Sequence, residues 1–243
     1  MNGTTAKTHW KHWLKKSHHP VARLVRVMHY WVINIQFPLI PIFHRGIYVL
    51  HCLVSQGWEM LAQFVYWTPL FKSRIQTVPR RLQLYSGMPQ VLGALDIHIG
   101  EGARISGQSS FFGRTATLPK PQLIIGENVD IGWQTTIAVG TRVILEDNVR
   151  MAGRVFLAGF PGHPVDPEAR ARGEADNDDQ VGDIILERNV WVASGVTVLA
   201  GVRIGRNTIV GAGSVVTHDL PANVIAAGVP AKVVKRLSPD CEV

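Results

Sequence analysis

The sequence predicts a mainly β fold, a prism of short parallel strands that follows an apolar and basic N-terminal region. Two observations support this prediction. Apolar residues recur at every sixth position through much of residues 97–217, a spacing that suits neither a helix nor a simple amphipathic strand. The first 90 residues instead hold 13 of the 19 aromatic residues, and 11 Lys and Arg residues against one acid, Glu59. We therefore predict two regions, residues 1–85 and residues 86–243.

Composition restricts the class of protein. The 243 residues are 46% hydrophobic and 18% charged, which supplies an apolar core and excludes a chain that is disordered throughout. Cys52 and Cys241 are too few for a disulfide scaffold or a four-ligand zinc site. The net charge of +7 arises at the N-terminus, because residues 91–243 hold 14 Lys and Arg residues against 17 Asp and Glu residues. The composition therefore does not indicate a nucleic-acid partner.

Residues 1–85 are predicted to be helical and to associate with a membrane. Residues 27–43 lack Asp, Glu, Lys and Arg, but Pro38 and Pro41 interrupt them. Residues 46–71 contain polar side chains that suit a membrane-spanning helix poorly. Interspersed Trp and Tyr residues and flanking cations favour a peripheral or monotopic anchor on the cytoplasmic face of the inner membrane. The alternative is a helical subdomain whose apolar face packs against its own protein or a neighbouring subunit.

The six-residue period defines the second region. No single hexapeptide can bury its apolar face, so successive coils must stack, and each buried lead side chain contributes roughly 1.5–3 kcal/mol. The pattern predicts a prism with one hexapeptide on each face. The lead residues are Ile99, Ile105, Ile125, Ile131, Ile137, Val143, Leu145, Met151, Leu157, Leu186, Val192, Val198, Ile204, Val210 and Val216.

A long interruption of the repeat, loop 158–183, carries a candidate catalytic residue, His163. A loop of this length in a compact repeat is either functional or disordered. A hydroxyl group is a weak nucleophile at neutral pH, and imidazole is a side chain suited to accept its proton. Three acids of the same loop could orient the imidazole: Asp166, Glu168 and Asp179.

Residues 189–236, which begin NVWVASGVTVLAGVRIG and end AGVPAKVVKRL, closely resemble the hexapeptide-repeat acyltransferases. The resemblance extends over about residues 97–237. It implies a left-handed parallel β-helix, a homotrimer, and an acyl-CoA donor, usually acetyl-CoA, in the groove between neighbouring subunits. It implies no permanently bound cofactor, and we expect a short C-terminal helix. The N-terminal region is similar to extensions of transferases that act in bacterial surface-polysaccharide pathways.

The resemblance also implies roles for individual residues. The segment FPGHPVDPE matches the His-Pro loop of the family, which makes His163 the expected general base. Alternatively, Trp191 covers the coil, and Lys232 and Lys235 lie on a solvated C-terminal helix. The residues implied to bind acyl-CoA are Trp191 beside the thioester, Ser194 and Ala212 at the pantetheine arm, Thr217 near the nucleotide, and Lys232 and Lys235 at the phosphates.

The predicted function is an acyl-CoA-dependent O-acetyltransferase acting on a sugar hydroxyl of a surface polysaccharide or lipid-linked saccharide. Thr135 stands where sugar-specific members carry Asn, and His218 where the family has Lys. The departure at Thr135 leaves the acceptor open, so a small soluble acceptor, such as an amino acid, amine or antibiotic, is an alternative. A non-catalytic β-helix scaffold is a separate alternative. We predict no metal site, because His98, His163 and His218 are too far apart in sequence to converge on zinc.

Overall fold

The computed structural model describes residue 10 and residues 12–115 and 119–238. The chain forms two compact units, Met1–Val54 and Ser55–Val243. Cys241 lies outside the described residues. After a helical segment over residues 12–16, the helices are α1 (Pro20–Asn34), α2 (Pro41–Ala62), a π-helical turn (Gln63–Trp67) and α3 (Thr68–Lys72).

The helical region begins and breaks at prolines. Pro20 opens α1, where its missing amide hydrogen leaves no bond unmade, and the ring of His19 accepts a hydrogen bond from the Val21 amide at 3.3 Å. Pro69 has no amide hydrogen for the carbonyl one turn earlier, and its ring crowds that carbonyl. The π-helical turn directly precedes Pro69, so this proline accounts for the local widening of the helix.

The second unit is a parallel β-helix. Its three sheets have the strand orders β1-β4-β7-β10-β13-β16-β18-β19, β2-β5-β8-β11-β14-β17 and β3-β6-β9-β12-β15, and all pairs are parallel except β18 with β19. The strands are β1 (Gln83–Tyr85), β2 (Gln90–Leu92), β3 (Asp96–Ile99), β4 (Arg104–Ser106), β5 (Ser110–Gly113), β6 (Gln122–Ile125), β7 (Asp130–Ile131), β8 (Thr136–Val139), β9 (Arg142–Leu145), β10 (Arg150–Met151), β11 (Phe156–Ala158), β12 (Ile184–Leu186), β13 (Trp191–Val192), β14 (Thr197–Leu199), β15 (Arg203–Ile204), β16 (Ile209–Val210), β17 (Val215–Val216), β18 (Val224–Gly228) and β19 (Ala231–Arg236).

The predicted lead residues form the core. Every one of them is at most 3% exposed. They stack in register from coil to coil: in one sheet Ile131 pairs with Met151, Met151 with Val192, and Val192 with Val210. The predicted mainly β, stacked-repeat fold is therefore confirmed, while its left-handed coiling stays a prediction from the resemblance.

The β-helix begins earlier than the repeat in the sequence indicates. Leu84 on β1 and Val91 on β2 are seven residues apart, so the first coil departs from the six-residue period. Phe71, at the end of α3, is 1% exposed and joins the core together with Ile75. Residues near the end of the helical region therefore close the first coil.

The predicted short C-terminal helix is wrong. Residues Ala231–Arg236 form β19, which pairs antiparallel with β18. Strand β18 is the last parallel strand of its sheet and would otherwise present unpaired backbone groups. The adjacent β-branched residues Val233 and Val234 favour a strand, and the chain reverses after Gly228 to satisfy that edge.

Asparagine side chains connect the coils at one corner of the prism. Asn128, Asn148, Asn189, Asn207 and Asn223 all have positive φ, a conformation that Asn tolerates better than most residues. Each Nδ2 donates to the Oδ1 of the next member, at 2.8, 3.0, 2.9 and 2.8 Å. This asparagine ladder satisfies the corner side chains and fixes the vertical register.

Replacing Asn148 separates the conformational role of the ladder from its hydrogen bonds. Both Asn148→Gly and Asn148→Ala remove the side-chain hydrogen bonds, but only alanine is strained at φ 61°. A left-handed residue other than glycine costs about 1–2 kcal/mol. We expect the melting temperature of Asn148→Ala to lie about 2–8 °C below that of Asn148→Gly in thermal unfolding. Equal melting temperatures would contradict this account of the corner.

Candidate active site

Loop 158–183 is closed at its base and has structure of its own. It leaves the β-helix after β11 and returns at β12, and the Gly182 amide donates to the Gly159 carbonyl at 3.2 Å. The loop contains a short helix, α4 (Pro167–Ala171), and a 3₁₀ turn (Asp178–Gln180). It is therefore a compact excursion whose ends meet at one corner of the prism.

The backbone on both sides of His163 is held in place. Gly162 has a φ of +80°, which glycine adopts without strain, and Pro164 is buried. The Arg170 guanidinium donates to the carbonyls of Pro164 and Val165 at 3.0 and 2.9 Å. The imidazole of His163 itself is exposed. The loop thus presents this ring to solvent on a fixed turn.

None of the three candidate orienting acids hydrogen-bonds to His163 within the part of the chain that the structure describes. Asp166 instead caps α4, accepting a hydrogen bond from the Ala169 amide at 2.7 Å. Glu168 lies 3.9 Å from Arg172, and Asp179 is exposed within the 3₁₀ turn. The acids build the loop around the imidazole, and Asp166 does so as a helix cap, a role the sequence analysis did not assign.

A buried ion pair anchors the far part of the loop to the β-helix. Arg114, directly after β5, donates from Nε to Asp176 Oδ1 at 3.1 Å and from Nη2 to the Asp176 carbonyl at 2.6 Å. Its Nη1 donates to Asp178 Oδ1 at 2.7 Å. Burial lowers the pKa of Arg114, but hydrogen bonds to Asp178 and Asp176 outweigh that effect and leave the pKa above its usual value. The guanidinium therefore stays charged and fixes residues 176–178.

Asp176 is the most buried acid of the loop. Its side chain is only 6% exposed, and its Oδ2 is buried without a hydrogen-bond partner among the described residues. Asp178, in contrast, is 92% exposed. The sequence analysis missed this anchor because no repeat or spacing relates position 114 to position 176.

Part of the predicted acyl-CoA site falls on one sheet. Trp191 is half exposed, and its row continues through Ile209 and Ile225 to Lys235 on β19. Three strand spacings separate Trp191 from Lys235, about 14 Å. Lys232, on the same strand, is also exposed. The row thus places an exposed indole and a cation along one outer face of the β-helix.

The other predicted donor-binding residues occupy stacked turns. Ser194 lies between β13 and β14 and Ala212 between β16 and β17, and both are exposed. The Gly213 amide donates to the Ser194 carbonyl at 2.9 Å, so the two turns are in direct contact. Thr217 follows β17, and its hydroxyl lies 2.8 Å from His218 Nδ1. The structure gives no hydrogen bond between these residues and His163 in the described chain.

Thr135, the position where sugar-specific relatives carry Asn, faces the interior. It is fully buried, and its hydroxyl lies 3.4 Å from the Ala152 carbonyl, within donating distance.

Among the described residues, no group of His, Cys, Asp and Glu side chains could hold a metal ion. The loop itself presents an exposed imidazole and is anchored to the β-helix through Arg114 and Asp176.

The sequence of the last coils matches a known repeat. Residues 183–218 fit the family model described as bacterial transferase hexapeptide, six repeats. These residues are therefore similar to transferase hexapeptide repeats. In the structure, the hexapeptide repeats run from β12 through β17 and directly follow the loop that carries His163. The resemblance to hexapeptide-repeat acyltransferases is thereby confirmed.

Curated relatives of the chain include sugar acetyltransferases. It is 41% identical over 114 residues to galactoside O-acetyltransferase of Escherichia coli, a match covering 47% of this chain and 54% of that protein. It is 40% identical over 111 residues to galactoside O-acetyltransferase of Lactococcus lactis, covering 46% and 48% respectively. The chain thus spans about half the length of the curated relatives it matches.

A solved structure shares the fold. A variant of AntD, an N-acyltransferase from Bacillus cereus in complex with dTDP-4-amino-4,6-dideoxyglucose and Coenzyme A, superposes with a TM-score of 0.57. The match covers 70% of this chain and 88% of that one at 20% sequence identity. At this identity the similarity supports the fold alone.

Asp176 and Asp178 provide a matched test of the loop anchor. Removing one partner of a buried ion pair costs about 3–5 kcal/mol, whereas an exposed pair contributes about 0–1 kcal/mol. We expect Asp176→Ala to accelerate tryptic cleavage after Arg170 and Arg172 at least tenfold, because the loop opens. Asp178→Ala should leave the cleavage rate within about twofold of the parent. Equal rates for both variants, measured by mass spectrometry of the fragments, would contradict the anchor.

Proposed function

We propose that this chain is an acyl-CoA-dependent O-acetyltransferase, with acetyl-CoA as donor and a sugar hydroxyl as acceptor. The acceptor belongs to a surface polysaccharide or a lipid-linked saccharide. The observation that carries the proposal is the 41% identity with galactoside O-acetyltransferase over 114 residues. The anchored loop that carries an exposed histidine and directly precedes the hexapeptide repeats in the chain supports it further.

In the proposed reaction, His163 acts as general base. Its imidazole accepts the proton of the acceptor hydroxyl while the hydroxyl oxygen attacks the thioester carbonyl carbon. The resulting tetrahedral intermediate collapses with breakage of the carbon–sulfur bond. The departing thiolate takes the proton from the imidazolium, so the products are the acetyl ester and free CoA thiol. No electrons are exchanged with a further reactant, and the reaction needs no metal or permanently bound cofactor.

The donor is proposed to lie along the row and turns described above. Trp191 borders the thioester, Ser194 and Ala212 hold the pantetheine arm through their backbones, and Thr217 lies near the nucleotide. Exposed Lys232 and Lys235 supply positive charge for the phosphates of CoA. The absence of an acid from the row between Trp191 and Lys235 supports this assignment.

We propose a homotrimer whose subunits enclose the donor between neighbouring β-helices. The outer surface of the β-helix exposes large apolar side chains, whose contact with water is unfavourable. These side chains are Trp133, Phe156, Trp191 and Leu199, each 38–50% exposed. Trp191 lies on the sheet of β13, whereas Phe156 and Leu199 lie on the sheet of β11 and β14. In a trimer, neighbouring subunits would cover both sheets, and one of them would form the second wall of the donor groove.

We propose that the N-terminal helices lie in the surface of the cytoplasmic leaflet of the inner membrane. Among the helices that the structure describes, none is long and apolar enough to cross a bilayer. Helix α1 nevertheless buries only Ala22, and α2 buries no residue. Phe37 and Ile42 are 82% and 88% exposed, and basic residues lie nearby. Exposed apolar side chains beside cations are typical of interfacial helices. An anchored enzyme would meet a lipid-linked acceptor at raised effective concentration.

Replacement of His163 tests the catalytic proposal. We expect His163→Ala to lower turnover by about 10²–10⁴-fold, because the acceptor hydroxyl loses its base, while the affinity for acetyl-CoA changes little. Turnover is measured as free thiol released from acetyl-CoA in the presence of galactosides, oligosaccharides or polyprenyl-linked saccharides. Acetyl-CoA binding is measured by calorimetry.

His98→Ala is the matched control, because this second histidine of the β-helix lies on β3 and pairs with the Thr77 hydroxyl at 2.9 Å. Its turnover should equal that of the parent. Unchanged turnover in His163→Ala would remove this residue from its role. Failure of the parent chain to bind acetyl-CoA saturably would overturn the acetyltransferase proposal altogether.

A further inference from the structure

A groove lies where the helical segment of the second unit meets the first coil of the β-helix. Its volume is about 510 Å³, and its lining includes Lys72 from α3 and Arg80 from the segment that leads into β1. Leu82 is 8% exposed and forms part of the wall. Met60 and Phe64 line the opening and are 71% and 81% exposed. The groove therefore combines positive charge with an apolar entrance.

Neither cation forms a close ion pair in the described chain. Ten pairs of a cation and a carboxylate lie within 4.0 Å of each other among the described residues. None of these pairs includes Lys72 or Arg80. The groove lining contains no acid. Because two unpaired cations face one small space, their natural partner is an anion.

The neighbouring acids are already occupied by backbone groups. Glu59 accepts a hydrogen bond from the Ser86 amide at 2.7 Å. Glu101 accepts from the amides of Arg80 and Arg81 at 2.8 and 3.1 Å, which hold its pKa below the usual value. These bonds fix the backbone at Arg80. The Arg80 guanidinium makes no ion pair with Glu101 within 4.0 Å, although its positive charge adds to the lowering of the Glu101 pKa. The groove is thus positioned by the fold, and its cations remain available.

A purely polar anion would leave the apolar side chains at the entrance, Met60 and Phe64, in contact with water. Such an anion is therefore not the best match for the groove. Within the second unit, the helical segment also exposes Trp58, Leu61 and Val65 by more than half. A ligand that matches both features carries a phosphate for Lys72 and Arg80 and a hydrocarbon chain for the exposed apolar side chains.

We propose that this groove binds the headgroup phosphate of an anionic membrane phospholipid. The two cations contact the phosphate, and the acyl chains pass over Met60 and Phe64 into the bilayer. The proposal deepens the membrane association proposed above and rests on it. It makes that association specific for a phosphate at one place, beyond a general attraction of basic residues to a negative surface.

The test uses the full chain and short-chain lipids below their critical micelle concentrations. Calorimetry with dihexanoyl phosphatidic acid should give saturable binding, at least tenfold tighter than with inorganic phosphate or dihexanoyl phosphatidylcholine. Lys72→Gln/Arg80→Gln should weaken phosphatidic acid binding at least tenfold. The control Lys15→Gln/Lys16→Gln removes the same charge from exposed positions of the first unit and should leave the affinity within twofold.

Three outcomes would overturn the proposed phospholipid site. The first is an equal affinity for phosphatidic acid and inorganic phosphate, which indicates a free-phosphate site. The others are an unchanged affinity for phosphatidic acid in Lys72→Gln/Arg80→Gln, and an equal loss of that affinity in both double variants. Co-sedimentation with phosphatidylcholine vesicles containing phosphatidylglycerol tests the membrane association separately. Binding of the short-chain lipid without co-sedimentation would support the groove and overturn the membrane association. Co-sedimentation of Lys72→Gln/Arg80→Gln with unchanged short-chain binding would do the reverse.

Discussion

Stacking of apolar side chains between successive coils is the constraint on which the rest of this structure depends. A rung of two to four residues buries too little surface to be stable alone, and only its neighbours above and below complete the core. Register is therefore obligatory, because a shift of one residue would expose the lead side chains of a whole coil. The corners follow from the same requirement. The asparagine ladder keeps each turn at a fixed height while the backbone adopts positive φ.

The rigid coils allow one irregular segment to hold a defined shape. Loop 158–183 lies outside the stacked coils. Its shape is held by the hydrogen bond that joins its two ends, by the capped helix α4 and by the ion pair between Arg114 and Asp176. A buried pair of this kind is costly to break, so it fixes position more than it adds stability. The β-helix thus supplies a stiff frame, and the loop offers an imidazole at a set place on that frame.

The part of the fold that is built from repeated coils could be predicted from the sequence. The candidate site could be predicted only in part. The lead residues from Ile99 to Val216 were identified from spacing because every coil repeats one packing requirement. The first coil and β19 were not predicted. Each end of the β-helix is covered by a segment that occurs once in the chain, so the repeat carries no information about it. The contact of residue 114 with residue 176 joins distant positions through tertiary geometry. The asparagine ladder did carry a signal, because Asn recurs three residues before several leads.

The antiparallel strand β19 has a consequence for assembly in solution. A stack of parallel rungs is open-ended in principle, since each terminal strand offers the same hydrogen-bonding pattern to a further rung, including one from another molecule. Reversal of direction at β19 ends that pattern on the longest sheet, and its exposed Lys232 and Lys235 repel a second copy. At the opposite end Phe71 plugs the interior. The longest sheet is therefore protected at β19 against pairing with a strand of another molecule.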